Sequence, residues 1–249
     1  MKVTFPHMGY MYICLKALLT KLGVDVVVPP MPSKKTITIG TQHSPEFACL
    51  PLKLNMGNFL EAYEMGADTI LMAGGCGPCR FGYYAQVQRE ILRDIGCHMN
   101  MVVLEPPEKN ISELVRKIKE ITGNKSWIEV VKAIRFAWYK VRAVDELDRV
   151  VHKLRPREQI TGTVDQVFKK AIRSLDEAKT KEEIEGALKN AKSELAMIPV
   201  DNSREIIRIG IVGEIYVMLE HFSNLDIERH LGRLGVEVER SIYLSEWIN

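Results

Sequence analysis

The 249-residue chain has no stretch approaching the roughly 18 uninterrupted apolar residues that a membrane helix needs. Its first residues, Met1-Lys2-Val3-Thr4-Phe5-Pro6-His7, lack the apolar core and small-residue cleavage site of a secretory signal. A cytoplasmic protein that neither enters a membrane nor carries an export signal is the expectation. An excess of one charge is also missing. The 34 basic and 32 acidic residues leave a formal net charge of +2, too even for a chain that lives on nucleic-acid phosphates. No G-x-x-x-x-G-K-[ST] phosphate loop occurs, so ATP hydrolysis is not expected of this chain. Cysteine is scarce and odd in number, five residues at 14, 49, 76, 79 and 97, which argues for reduced thiols over a disulfide framework. What remains is an ordinary globular balance, 46% hydrophobic and 27% charged.

The apolar pattern predicts an α/β fold in three parts. Residues 1–108 read as a parallel-sheet, doubly wound-like domain. Strands are predicted at Lys2–Phe5, Asp25–Val28, Asp68–Ala73 and Met99–Leu104. Helices are predicted at Tyr10–Leu22, Leu54–Met65 and Phe81–Ile95, each followed by a glycine stop at Gly23, Gly66 or Gly96. Residues 109–204 read as helical throughout, with Trp127, Val130, Val131, Ile134 and Trp138 on one apolar face. Residues 205–249 read as the beginning of a second α/β domain, with strands at Glu205–Val212 and Val236–Arg240 around a helix over Asp226–Leu234. One such βαβ unit leaves its own strands uncovered, so this part is expected to be incomplete, or to join the first sheet or a partner chain. The even charge is an average: the middle segment carries 21 basic and 15 acidic residues, the last 4 and 8.

Chemistry concentrates at Gly74-Gly75-Cys76-Gly77-Pro78-Cys79-Arg80-Phe81-Gly82, where a predicted strand passes into a helix. Ligands of open α/β sheets bind at the carboxyl ends of strands, and a helix start offers free N–H groups and a positive dipole end that favour thiolates. Ser44-Pro45-Glu46-Phe47-Ala48-Cys49-Leu50-Pro51-Leu52-Lys53 puts Cys49 in a proline-bracketed turn that reads as another strand-to-helix junction. The spacing C-x26-C-x2-C supplies one knuckle, where a structural zinc site wants two. Three thiolates with an open fourth position suit an iron–sulfur cluster. The Cys76–Cys79 pair alone also fits a cytosolic thiol oxidoreductase, which leaves Cys49 without a role. Cys14 and Cys97 read as core residues, His7 and His43 as surface or hydrogen-bonded histidines, and one of Tyr83 and Tyr84 as a core residue. Glu46 is given no catalytic part. Lys53 and Arg80, each beside a candidate ligand, are cofactor-binding candidates whose charge would stabilise a thiolate or a bound anion.

Gly23–Pro30, the Cys49 segment, Met72–Tyr84, Ile209–Tyr216 and Val236–Ser241 together resemble the activase-associated relatives of the 2-hydroxyacyl-CoA dehydratases, the CoA-substrate-specific enzyme activase or CoA protein activase family. The resemblance covers most of the chain. It implies an iron–sulfur protein with a [4Fe–4S] cluster on three cysteines, engaged in low-potential electron transfer or radical dehydration with an ATP-dependent activator. Cys49 matches the family's first cysteine and Cys79 the second, while the third belongs to a later domain. No cysteine follows Cys97, so either Cys76 substitutes or the third ligand lies beyond residue 249. The implied partners are an activator ATPase or a dehydratase-type subunit and a CoA thioester, with a homo-oligomer compatible. Whether the chain is itself an enzyme stays open, and a non-catalytic scaffold for such partners is the alternative reading.

Overall fold

The computed structural model describes residues 1–75, 79–105 and 111–248. It divides into two compact units, Met1–His7 with Leu18–Ala133 and Met8–Ala17 with Ile134–Asn249. In the first unit, β1 (Lys2–Thr4), α1 (Met11–Lys21, which begins in the second unit), β2 (Asp25–Val26), α2 (Lys34–His43), α3 (Leu50–Glu64), β3 (Thr69–Ala73), α4 (Phe81–Asp94), β4 (Asn100–Leu104) and α5 (Ile111–Thr122) follow in order. α6 (Trp127–Leu154) then passes into the second unit. The four strands form one parallel sheet in the order β2-β1-β3-β4. The chain turns one way from β1 to β2 and the other way to β3, so the switch point, where open α/β sheets bind ligands, lies between β1 and β3.

The predicted strands and helices of this sheet are present, with ends shifted by a few residues. Gly66 at φ 92° and Gly96 at φ 74° close α3 and α4 in the left-handed conformation that side chains resist. Leu52, Met56 and Phe59 of α3 pack with Ile70 and Met72 of β3, Tyr84, Ala85 and Leu92 of α4, and Met101 and Val103 of β4. Cys97 joins this core at 5% exposure, and burial pushes its thiol pKa up, as expected of a structural cysteine.

One expectation is overturned. The segment before Cys49 is the helix α2, not a strand. Its start is a capping box: the Ser33 hydroxyl accepts from the Thr36 N–H at 3.4 Å, and the Thr36 hydroxyl accepts from the Ser33 N–H at 3.0 Å. Thr36 also donates to Glu61 of α3 at 2.7 Å. Two glycines let the backbones of α2 and α3 touch, since a methyl at Gly40 would overlap the Lys53 carbonyl and one at Gly57 the Thr36 carbonyl. Gly57→Ala is therefore expected to destabilise the protein by about 3 kcal/mol, the upper end for overpacking because backbone must move. Urea unfolding checks this, and a change within 0.5 kcal/mol would contradict the close approach.

The second unit adds α7 (Thr163–Glu177), α8 (Lys181–Ala196), β5 (Ile207–Ile211), α9 (Ile215–Leu219), α10 (Ile227–Arg233), β6 (Val236–Arg240) and α11 (Leu244–Ile248). Ile13 and residues of α6, α7 and α8, among them Leu147, Val151, Phe168, Leu175 and Leu195, form its core. Cys14 is 6% exposed, and burial raises its thiol pKa, as a core reading requires. The predicted apolar face of α6 fares less well. Val130 is buried, but Trp127, Val131 and Ile134 are 46%, 52% and 51% exposed. Among the described residues, β5 and β6 pair in parallel as a two-stranded sheet of their own.

In the same unit, His221 stacks edge-on to Tyr10 with ring centroids 5.1 Å apart. Burial lowers its pKa below the usual 6.5, although the neighbouring acids Glu228, Glu220 and Asp226 pull the other way. The neutral ring is favoured in the folded state, so below about pH 6.5 the unfolded chain binds the extra proton and stability falls as pH falls. The denaturation midpoint should drop between pH 7 and pH 5, and His221→Phe should flatten that slope. An equally steep slope in the variant would assign the acid sensitivity elsewhere.

Candidate functional site

Cys79 stands at the mouth of the loop that leaves β3, just before α4. Its sulfur accepts from the Phe81 N–H at 3.5 Å, a contact that occupies one of the free donors of the α4 start. Arg80, the N-cap residue of α4, adopts helical angles and makes no side-chain cap, and the next two N–H groups turn back to the chain, Gly82 to the Cys79 carbonyl at 3.3 Å and Tyr83 to the Arg80 carbonyl at 2.9 Å. Gly82 allows the first turn of α4 to lie against the Gly75 carbonyl, where a methyl group would collide. Gly75 and Cys79 thus both touch the first turn of α4.

Cys49 reaches the same turn from α3. It is the N-cap of α3, with φ −68° and ψ 156°, and its side chain makes no cap hydrogen bond. Pro51 early in α3 loses nothing by lacking an N–H. The sulfur instead lies 2.6 Å from the Tyr84 hydroxyl. Tyr84 is 6% exposed, packs edge-on against Phe81 at 5.4 Å, and belongs to the core, whereas Tyr83 is 73% exposed. Two thiols thirty positions apart in sequence therefore make polar contacts with the first turn of one helix, Cys79 through a backbone N–H and Cys49 through a phenol. The Tyr84 role was not legible beforehand; only the adjacent tyrosines hinted that one faces inward.

The other sequence candidates are placed as follows. Cys76 lies outside the described residues. Lys53, on the first turns of α3, donates from its ammonium to the Glu46 carbonyl at 2.9 Å and braces the Cys49 loop. Arg80 is exposed at the start of α4. His7 is 1% exposed just after β1, and its backbone N–H donates to Asn58 at 3.3 Å. His43 is exposed at the end of α2. Sequence reasoning missed Gln88, one turn beyond Tyr84 on the buried face of α4. It is 0% exposed, and neither atom of its amide bonds to a described residue.

Among the described residues, no three of His, Cys, Asp and Glu converge as a metal site. The donors that do share the α4 turn are two soft thiols, the ligand type that selects iron–sulfur clusters and zinc, and the candidate third donor is Cys76. In donor chemistry this set fits a thiolate-held iron–sulfur group. No helix among the described residues is long and apolar enough to cross a membrane.

The profile of the CoA enzyme activase uncharacterised domain matches residues 6–241. The chain belongs to that family. The match runs through both units and includes Cys49 and Cys79, so their segments are part of the family domain and not an appendage to it. No curated protein matches the chain.

Proposed function

We propose that this activase-family domain is an iron–sulfur protein of a CoA-enzyme system related to the 2-hydroxyacyl-CoA dehydratases, with Cys49, Cys79 and Cys76 as its thiolate ligands. The observation that carries this reading is that Cys49 and Cys79 both make polar contacts with residues of the first turn of α4. When bound, a [4Fe–4S] cluster would supply one-electron chemistry at low potential. The residues do the rest. The α4 start gives Cys79 the Phe81 N–H and a positive dipole end, which favour the anionic form of sulfur. Tyr84 holds the Cys49 sulfur in place from the core, and Lys53 fixes the loop that carries it. Arg80 is exposed where a negatively charged CoA-type partner or substrate would approach, and membership of the family supports a CoA enzyme as the partner.

Anaerobic reconstitution with iron and sulfide tests the reading. About four iron atoms per chain, with the broad visible absorbance of thiolate-bound iron, are expected; iron at background in a folded protein would reject it. Tyr84→Phe is expected to keep the iron but move the midpoint potential to a more negative value, because hydrogen bonds to cluster sulfurs raise the potential. A redox titration reads this, and an unchanged midpoint would mean that the phenol serves packing alone.

A further inference from the structure

The single helix α6 carries a row of large apolar side chains that the described residues leave in solvent. Trp127, Val131, Ile134 and Trp138 recur at intervals of four, three and four, the spacing by which one helix packs along another. Trp127, Val131 and Ile134 are exposed, as is Ile128 beside them, and Trp138 is half-buried. Apolar residues exposed singly need no explanation, but a contiguous row along about three turns marks a contact surface.

The free charges beside the row are of one sign. Lys132, Arg135 and Arg142 are exposed and make no ion pair or hydrogen bond with a described residue. Glu129, the acid of this stretch, is already engaged: the Lys125 ammonium lies 3.1 Å from one oxygen, and the Ser126 N–H and hydroxyl donate to the other at 3.1 and 2.9 Å. Lys140 is buried and donates to the Asp176 carbonyl at 2.8 Å. At about 100° per residue, Arg142 and Arg135 stand roughly 50° and 70° from the middle of the row, with Lys132 further round on the same side. On the other side Val130, Ala137 and Val141 are buried. The row therefore runs along the border of the buried face, with unpaired cations on its open side.

From these features we infer that α6 docks an amphipathic helix with acidic flanks on a partner protein. The partner's apolar seam lies on Trp127, Val131, Ile134 and Trp138, and its carboxylates meet Arg135, Arg142 and Lys132. Charge decides between the occupants. A second copy of α6 would bring the same three cations to the seam, which disfavours self-pairing. A helix lying in a lipid surface carries its cations on the face opposite the apolar one, whereas these adjoin the row. Three turns of helix bury less than the roughly 1,200 Å² at which stable interfaces begin, so the contact is transient, with a Kd on the order of 10 to 100 µM.

The probe is a labelled peptide of three heptads with leucine at a and d and glutamate at e and g, and its counterpart with lysine at e and g is the control. Fluorescence anisotropy with protein up to about 500 µM should show the acidic peptide binding about tenfold tighter than the basic one, and less tightly as salt is added. Val131→Ser combined with Ile134→Ser should weaken that binding about tenfold with the circular dichroism unchanged. Arg135→Glu combined with Arg142→Glu should reverse the preference between the peptides. Lys169→Glu combined with Arg173→Glu, an equal charge change at exposed positions of α7, should leave the preference as it is. Equal affinity for the two peptides, no binding of the acidic one at the highest concentration, or a preference moved as much by the α7 pair as by the α6 pair overturns the inference. So does a row occupied by a second copy or by anionic lipid vesicles, read as dimerisation or vesicle binding that the Val131 and Ile134 substitutions abolish. None of these readouts depends on iron.

Discussion

Cys49→Ala is expected to reduce the iron retained after anaerobic reconstitution to less than half of the unsubstituted value and to remove the cluster's low-potential signal. Thiolate ligands to iron are not replaceable by water within a partly buried site, and the loss of one of three leaves the cluster open to disassembly. Cys79→Ala should behave in the same way. The controls lie within the chain. Cys14 and Cys97 are core residues at 6% and 5% exposure, so Cys14→Ala and Cys97→Ala should cost stability but keep the iron count per folded chain. If all four variants lose iron equally, the metal is following fold integrity or nonspecific thiol binding, and the assignment to Cys49 and Cys79 fails. Folded content by circular dichroism keeps the two explanations apart.

The largest stability effect is expected at Arg240→Met in the second unit. The Arg240 side chain is 4% exposed and pairs with Asp148 and with Glu228, whose carboxylates are equally enclosed. Its Nε stands 2.9 Å from Glu228 Oε1, an ion pair without hydrogen-bond alignment. Burial lowers the Arg240 pKa without depriving the guanidinium of its charge, and the ring of Tyr243 lies 4.8 Å from it. His152 lies 3.6 Å from Asp148 and 3.4 Å from Glu228, too far to replace a lost cation by direct hydrogen bonds. Removing Arg240 leaves two buried carboxylates facing each other, for which the loss is about 3 to 5 kcal/mol. The comparison that isolates the cause is Arg240→Met combined with Glu228→Leu, which should recover part of the loss, because one of the stranded charges goes as well. Chemical denaturation reads both. A loss under 1 kcal/mol in the single variant would show that the pair is solvated.

Much of the fold is legible in the sequence because its signals are local. The strands Thr69–Ala73 and Asn100–Leu104 are short apolar runs, and Gly66 and Gly96 stop their preceding helices by a backbone preference that needs no tertiary context. α2 was not legible. Thr36-Ile37-Thr38-Ile39 alternates β-branched residues as a strand does, and its helical state is decided by the Ser33–Thr36 cap and by contact with α3 through Gly40 and Gly57. That contact is between residues seventeen apart, beyond what periodicity can see. The exposed side of α6 has the same origin: spacing identifies an apolar stripe but not whether anything covers it. At the candidate site, residue type and position single out the thiols as candidates, and the family resemblance agrees with the domain that the chain contains. The link between Cys49 and Tyr84 was not readable, because it joins two helices through side chains 35 positions apart.

The most direct test of the cluster assignment is the electron paramagnetic resonance spectrum of the anaerobically reconstituted protein after one-electron reduction at low potential, recorded with natural iron and with iron-57. A spin-one-half signal that broadens with iron-57, and that is absent from the Cys49→Ala and Cys79→Ala variants, is the predicted result. Bound iron that gives no such signal, or a signal that persists unchanged in both variants, would contradict it.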